Sequence, residues 1–206
     1  MSEQPSINLS AVGLKAALSA AAKRDVRWYL NGVLVEVSPA QKPPKVGAEW
    51  RDITIMGANG LLLTASRDQE MSEFPALTVF IPRHVLGGIG RDPVLLSMTG
   101  TSGVYAIYVR GEERLFRGDV GKPLAWRSLI PIAQSDKQAF VAPGLLSLAQ
   151  RIATLHGDLS PAFRQFDGRK SVWTNGTALI VVMGTTWEAN ELIDIPRWAY
   201  PQTEVA

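Results

Sequence analysis

The sequence contains no cysteine, and this absence excludes several kinds of chemistry. Without cysteine the chain has no disulfide bond, no thiolate nucleophile and no cysteine-bound zinc. Its two histidines, His84 and His156, fall on different predicted helices and outside any His-Glu-x-x-His pattern. The Gly-x-Ser-x-Gly and phosphate-loop motifs are missing as well. These absences favour a binding protein over an enzyme and predict neither a metal nor a cofactor.

Charge and long apolar runs are also scarce. Charged residues make up 19% of the 206 residues and the net charge is only +2, so binding to nucleic acid would require a local basic surface. No apolar run approaches the length of a membrane span, and the first residues lack the basic and apolar parts of a signal peptide. Hydrophobic residues reach 46%, enough for a real core. We therefore expect a globular, cytoplasmic protein of one large or two small domains.

The order of predicted elements recurs three times along the chain, each time as a strand, a helix and three strands. The first repeat has strands at 7–10, 28–37, 52–56 and 61–66, with a helix over 11–23. The second has strands at 77–81, 94–98, 104–109 and 114–120, with a short helix over 82–89. The third has strands at 139–142, 163–166, 171–174 and 178–183, with a helix over 143–155.

This recurrence predicts an α+β fold of three successive βαβββ units, with the helices on one face of antiparallel sheets. Residues 1–6 are expected to be a disordered lead, and 7–133 a domain of two units, 7–75 and 76–133. A third unit, at 134–187, is expected to form a half-domain, followed by a C-terminal tail over 188–206.

One stretch, Arg24–Glu36, combines cationic and aromatic side chains at the junction of a predicted helix and strand. Such a mixture suits a phosphate backbone and unstacked bases. It is equally typical of core aromatics beside solvated arginines. The order Asp25-Val26-Arg27-Trp28-Tyr29-Leu30-Asn31-Gly32 resembles the same junction in the middle domain of the bacterial DNA polymerase III β sliding clamp, where Asp-Val-Arg, two aromatics and Leu-Asn-Gly follow one another.

Further islands resemble that family in the same order along the chain. They are Thr54–Leu63, Phe80-Ile-Pro-Arg-His-Val-Leu, Phe116–Pro131, and the third unit from Phe140 to Met183. The resemblance spans about residues 7–187 and implies a DNA-clamp-like fold in a ring-forming processivity factor. In that family, helices line a central hole through which duplex DNA slides, and the ring tethers replication proteins.

The resemblance implies two sites, one for duplex DNA and one for short apolar peptides of polymerases and the clamp loader. Sliding needs phosphate contacts without base readout, which lysine, arginine and amide side chains provide. An ordinary solvated helix face explains such cations equally well. The residues assigned to DNA contact are Lys15, Lys23, Arg24, Trp28, Tyr29, Arg83, Gln150 and Arg151. Those assigned to the peptide groove are Leu62, Pro131, Val181 and Met183, each of which could also be plain core.

The chain departs from the family in two respects. The family's Thr-Asp-Gly-His-Arg turn is here Gly57-Ala58-Asn59-Gly60-Leu61, so that usual clamp-binding peptides are not assured of a fit. A family member has six units and closes a ring of twelve from two chains, whereas this sequence has three. Counting units therefore predicts a homo-oligomeric ring of four chains joined head to tail. The alternatives are a clamp-fold adaptor or inhibitor that does not encircle DNA, and an unrelated α+β enzyme.

Overall fold

The structure is a computed structural model that describes residues 4–39, 50–118, 125–131, 141–166 and 169–184. Within these ranges the chain forms two α-helices, α1 (Ala11–Ala20) and α2 (Pro143–Leu155). It also forms three short 3₁₀-helical turns, at Trp28–Leu30, Arg83–Leu86 and Trp126–Leu129. The strands are β1 (Ser6–Leu9), β2 (Gly32–Pro39), β3 (Trp50–Ala58), β4 (Leu62–Met71), β5 (Leu77–Pro82), β6 (Val94–Met98), β7 (Val104–Val109), β8 (Glu112–Arg117), β9 (Arg164–Phe166), β10 (Lys170–Thr174) and β11 (Ala178–Met183).

The strands form two antiparallel sheets, and neighbouring repeats exchange their first strands. β1 pairs with β6 in a four-stranded sheet of order β1-β6-β7-β8. In return β5 pairs with β2 in a seven-stranded sheet of order β5-β2-β3-β4-β11-β10-β9. The third repeat joins the first through the β4–β11 ladder, so one sheet runs from the first repeat into the third. The α+β fold with antiparallel sheets is as the sequence predicted.

Alternation along the strands gives the seven-stranded sheet two buried faces. The face that carries α1 and α2 is called the helix face, and the opposite one the outer face. On β11, Ile180 and Val182 belong to the cluster that includes residues of both helices, whereas Val181 belongs to the cluster on the outer face. A third cluster packs the β2, β3 and β5 part of the helix face against the four-stranded sheet.

Helix α1 begins where its sequence dictates, since the Ser10 hydroxyl accepts a hydrogen bond from the Gly13 amide at 3.2 Å. It lies directly on β3 because Gly57 has no side chain; a Cβ there would collide with the carbonyl of Ala17. The helix ends at Ala20, and Ala21 is extended, earlier than the predicted end at Lys23. Ala22 instead donates its amide to the carbonyls of Leu30 and Ala58, which takes the chain away from the helix axis.

Three other predictions need correction. The helix expected over 82–89 is only the 3₁₀-helical turn Arg83–Leu86, because Gly87 and Gly88 follow it and Gly88 has a positive φ. The strand expected from Trp28 begins at Gly32, after the turn Trp28–Leu30. Gly57 and Ala58, expected in a turn, belong to β3.

Helix α2 and strands β6, β7 and β11 have the bounds that were predicted. Residues 139 and 140 of the expected strand before α2 lie outside the described residues, and Val141 and Ala142 are not in a strand. The lead over 1–3, the turn 167–168 and the tail 188–206 also lie outside them. None of the helices in the described ranges is long and apolar enough to cross a membrane.

Candidate nucleic-acid interface and peptide groove

Helices α1 and α2 pack side by side on the helix face through small residues. Ala16 and Ala20 of α1 and Ala149, Ile152 and Ala153 of α2 are all fully buried in one cluster. Alanine side chains allow two helix axes to approach closely, so groups at the helix ends come near one another. The alanines of α1 favour helix formation, and they also determine how closely α2 can approach.

A cleft of about 550 Å³ lies between the two helices. Three of the predicted DNA-binding residues line it, namely Lys23, Arg83 and Arg151. Apolar side chains of both helices form the remaining wall, with Ser19. The structure therefore brings together cations that are far apart in the sequence, which is the arrangement that a phosphate needs. Sequence reasoning missed the apolar part of this lining, Leu18, Leu148, Ile152 and Leu155.

Arg83 has a structural role at the end of α1. Its guanidinium donates hydrogen bonds to the carbonyls of Leu18 at 2.5 Å, Ala21 at 2.7 Å and Ala22 at 3.2 Å. Leu18 lies in the last turn of α1, whose carbonyls have no partners within the helix, and Ala21 and Ala22 directly follow the helix. A cation at this end also interacts favourably with the helix dipole. Burial lowers the pKa of Arg83. The residue adds positive charge to the cleft while most of its donors are used within the chain.

Lys15 and Gln150, the other predicted DNA-binding residues of the helices, are not part of the cleft lining. Lys23 and Arg151, which line the cleft, are exposed. Lys15 is partly buried on α1, one turn before Ser19, whose hydroxyl donates to the Lys15 carbonyl. Gln150 is exposed on α2 beside Arg151. Since α1 ends at Ala20 and not at Lys23, Lys15 is on the helix whereas Lys23 follows it.

The stretch 24–31 is a closed loop that side chains hold in shape. Asn31 accepts the Asp25 amide with Oδ1 and donates Nδ2 to the Asp25 carbonyl, both at 2.7 Å. The Asp25 carboxylate in turn accepts Nε and Nη2 of Arg27, each at 2.9 Å. These bonds lower the pKa of Asp25 from 3.8 to about 2. The two hydrogen bonds of Asn31 to Asp25 close the loop, and the sequence analysis did not predict them.

The aromatic pair Trp28 and Tyr29 lies within this loop, and only the Trp28 ring is largely exposed to solvent. Trp28 is 46% exposed and meets Phe80 edge to face at 5.1 Å and Tyr29 at 5.9 Å. Tyr29 packs against the outer-face cluster. Arg24 is exposed in the loop. The stretch thus joins the core at Tyr29 and presents Arg24 and Trp28 at the surface.

The four predicted groove residues do not all lie on one face of the sheet, because Leu62 is on the helix face. Val181 lies on the outer face with Leu63, whereas Leu62 points to the helices with Ile180 and Val182. Adjacent residues of a strand have opposite directions, so an assignment that slips by one residue moves to the other face. Met183 shares the side of Val181, and Pro131 is buried after the turn Trp126–Leu129. The Leu63 side chain lies on the outer face with Val181, the position that the clamp resemblance implies for Leu62.

The segment Trp126–Pro131 covers part of the outer face and is fixed to β2 by Glu36. The indole Nε1 of Trp126 donates to Glu36 at 3.0 Å, and Arg127 pairs with the same carboxylate at 2.7 Å. The Arg127 guanidinium also lies over the Trp126 ring, 4.3 Å from its centre. Beside this segment is a polar cleft of about 330 Å³, where Asp52 accepts Arg67 at 2.9 Å and Gln69 at 2.6 Å.

His156 follows α2 and lies near the Trp173 ring, 6.2 Å between ring centres. Burial lowers its pKa from 6.5, and its Nε2 is buried without a hydrogen-bond partner among the described residues. Across the described part of the chain, no three His, Asp or Glu side chains come together as a metal site.

Comparisons of the sequence with known proteins find no match, whereas comparison of the structure finds several. No protein-family model matches the chain, and no curated protein matches it. Among solved structures, the DNA polymerase III subunit beta of Pseudomonas aeruginosa has a TM-score of 0.59 at 14% sequence identity. The match covers 91% of this chain and 68% of that one. The chain has the sliding-clamp fold.

Two further clamp structures agree. The Helicobacter pylori beta clamp in complex with diflunisal has a TM-score of 0.67 at 9% identity, and the match covers 91% of this chain and 68% of that one. The same clamp bound to a DNA ligase peptide has a TM-score of 0.64 at 8% identity, with 67% of that chain covered. At these identities the likeness shows the fold alone. It confirms the resemblance to the clamp family that the stretch around Trp28 indicated.

Proposed function

We propose that this protein is a DNA sliding clamp, a processivity factor that encircles duplex DNA and tethers replication proteins. The observation that carries the proposal is the cleft between α1 and α2, where Lys23, Arg83 and Arg151 converge. Neither helix contains an aspartate or glutamate, so nothing acidic on them opposes these cations. A surface of this kind attracts phosphates without reading bases, as sliding requires.

The proposal includes the partners and the state expected from the sequence. Partners would be duplex DNA and short apolar peptides of a polymerase and a clamp loader, in a cytoplasmic, non-enzymatic ring. The Helicobacter pylori clamp bound to a DNA ligase peptide is a solved example of peptide binding in this fold. On this chain we assign the peptide to the outer face, at Pro131, Val181 and Met183, with Leu63 in place of Leu62. The division into a domain at 7–133 and a half-domain at 134–187 remains a prediction.

A second candidate is a clamp-fold adaptor that never encircles DNA. One observation favours it. Arg83 uses Nε and Nη2 to cap α1, so these donors are already engaged and fewer remain for a phosphate. The wall of the cleft is also largely apolar, with Leu148, Ile152 and Leu155 beside the cations. Such a cleft could receive a protein segment instead of a phosphate backbone.

Retention on circular against linear duplex separates the two candidates. The oligomer is assembled in the presence of nicked circular DNA, washed with salt, and the circle is then cut once. A clamp stays on the circle and leaves the cut molecule, because a topological link opens only at free ends. An adaptor would show equal, salt-sensitive binding to both forms, and that result would contradict the clamp proposal.

Charge reversal tests the residues of the interface. The triple variant Lys15→Glu, Lys23→Glu, Arg151→Glu should lose retention on circles, because each phosphate that a cation neutralises contributes about 0.9 to the dependence of log K on log salt. Arg151→Glu alone is compared with Lys170→Glu, which changes the net charge equally, because Lys170 lies on β10 with the orientation of Val172 toward the outer face. Failure of the control variant to stay on circles would show that net charge, and not this cleft, is what matters.

A further inference from the structure

The cleft between α1 and α2 has two kinds of lining, and a phosphate backbone accounts for only one of them. Its cations, Lys23, Arg83 and Arg151, suit a phosphate, but most of the other lining residues are aliphatic. A duplex that is bound without base readout presents phosphates and sugars, and these groups gain little from contact with leucine side chains. The aliphatic wall therefore fits a kind of ligand that the proposed DNA contact does not include.

The aliphatic wall is a continuous stripe of α2. Leu148, Ile152 and Leu155 follow one another at spacings of four and three residues, which places them on one side of the helix. From the first to the last of them the stripe is about 10 Å long. Leu18 of α1 lines the cleft as well, so both helices contribute aliphatic side chains. Leu18 and Leu148 are half-buried and Leu155 is 41% exposed, so a ligand has access to the stripe.

Arg83 supplies a fixed cation beside this wall. Three carbonyls at the end of α1 accept hydrogen bonds from its Nε and Nη2, whereas Nη1 has no hydrogen-bond partner among the described residues. An arginine that is already held in place loses little rotamer freedom when it binds an anion. Lys23 and Arg151 lie on the same lining and are exposed, so an anionic head group meets more than one cation there.

The size and charge of the cleft fit a small organic anion. Its volume of about 550 Å³ lies within the range of about 300–1,000 Å³ that small-molecule sites usually have. Neither helix carries an acidic residue that would repel an anion. We propose that the cleft binds an amphiphilic anion, which has a carboxylate or phosphate head group on an unbranched aliphatic chain. The head group contacts Arg83 together with Lys23 and Arg151, and the chain lies along the stripe of α2.

Binding of this ligand requires the fold and the cleft but no DNA, so the site goes beyond the proposed function. One consequence does rest on the proposed function. On a sliding clamp, the head group and a DNA phosphate would use the same cations, so each ligand would weaken binding of the other. The anion would then regulate DNA binding by competition.

The test is titration calorimetry of the full chain without DNA, with decanoate below its micelle concentration as the probe. Decanoate should bind saturably. Hexanoate should bind about tenfold or more weakly, because fewer methylene groups leave water. Decyltrimethylammonium, which has the same chain and the opposite charge, should not bind at the same concentrations. Decyl phosphate in place of decanoate shows which of the two head groups the cations prefer.

Two variants with matched controls separate the aliphatic wall from the cations. Leu155→Ser should raise the dissociation constant of decanoate about fivefold, because it removes part of the wall. Its control is Leu159→Ser, since Leu159 follows α2, is 83% exposed and does not line the cleft. Arg151→Gln should also raise the dissociation constant about fivefold, whereas Lys170→Gln on β10 should leave it unchanged.

Two outcomes would overturn the proposal. One is the absence of saturable binding of both decanoate and decyl phosphate. The other is binding that decyltrimethylammonium shares or that the control variants weaken as much as the cleft variants do, because an aliphatic chain would then adhere to the surface without a site. Circular dichroism of each variant separates loss of the site from loss of the fold. Because DNA is absent, a failure here leaves the retention experiment on circles, and with it the clamp proposal, unaffected.

Discussion

The two faces of the seven-stranded sheet are covered in different ways. On the helix face, α1 and α2 pack tightly through fully buried small side chains. On the outer face, one short segment, Trp126–Pro131, lies across the strands and leaves a cleft of about 330 Å³ beside it. The helix face gathers cations at the helix ends, whereas the outer face holds the carboxylates of Glu36 and Asp52 in ion pairs.

This difference shows how one set of strands can keep carboxylates away from the face that carries the helices. Thr54 and Asp52 of β3 line the outer cleft, while Ile53 and Ile55 between them belong to the core of the helix face. Period-two alternation assigns each residue to one face, so the carboxylates of Glu36 and Asp52 lie on the side of the sheet opposite the helices, where Arg127 and Arg67 pair with them.

The largest expected effect comes from filling the contact between α1 and β3. Gly57→Val should lower the free energy of unfolding by about 3 kcal/mol, the upper end of the usual cost of overpacking. The reason is that its Cβ would meet backbone of Ala17, which cannot rotate away. Urea unfolding followed by circular dichroism measures it.

Gly144→Ala is the matched control, since Gly144 lies in the first turn of α2 and a Cβ there meets nothing within 4 Å. It should leave stability unchanged or raise it by up to about 1 kcal/mol through helix propensity. Equal costs for the two variants would mean that the helix face is less tightly packed than its geometry indicates.

The next effect compares one arginine on each face. Arg83→Met removes three hydrogen bonds to the end of α1 and should cost about 2–3 kcal/mol of unfolding free energy. Arg67→Met removes the ion pair between a half-exposed guanidinium and the buried Asp52 carboxylate, which keeps its hydrogen bond from Gln69, and should cost about 1 kcal/mol.

Thermal unfolding of the two variants gives this difference directly. An Arg67 variant as unstable as the Arg83 variant would show that the outer face depends on its ion pairs as strongly as the helix face depends on packing.

The smallest effect is a pH dependence located at His156. Its folded pKa is lowered by burial, so its neutral form is favoured on folding. Its contribution to stability is complete above the unfolded value near 6.5 and is lost as the pH falls through the folded value. His156→Phe should therefore reduce the loss of stability between about pH 7.5 and pH 5.5.

Unfolding midpoints at several pH values measure that slope. His84→Gln serves as the control, because His84 is exposed on the turn Arg83–Leu86 and its loss leaves His156 in place. A His156→Phe slope equal to that of the parent would assign the pH dependence to other groups.

Local patterns predicted the elements well wherever local interactions define them. Helix α2 begins at Pro143, which has no amide to satisfy, and its apolar spacing continues to Leu155 as predicted. Strand β11, a run of apolar residues after the Asn175-Gly176 turn, also has the predicted bounds. The predicted end of α1 was wrong because Leu30, Ala58 and Arg83 determine it through hydrogen bonds to Ala22. All three residues are distant from Ala22 in the sequence.

The candidate sites show the same division. The clamp resemblance assigned Lys23, Arg83 and Arg151 to DNA contact, and the structure places all three on the lining of one cleft. Their contact with DNA stays a prediction. The clamp resemblance grouped Leu62 with Val181, but Leu62 lies on the helix face and Val181 on the outer face. An alignment across a changed turn can slip by one residue, which accounts for this difference. A slip of one residue is invisible in composition and reverses the direction of a side chain.

The sequence by itself determined the alternation of strands and helices, the start of α1, the full extent of α2 and the motif around Trp28. Those features depend on hydrogen bonds and periodicities within a few residues. Only the tertiary structure decided the exchange of β1 and β5, the β4–β11 junction and the capping of α1 by Arg83. These rest on pairings between distant segments, whose choice depends on which buried faces and unpaired backbone groups remain once the whole chain has packed.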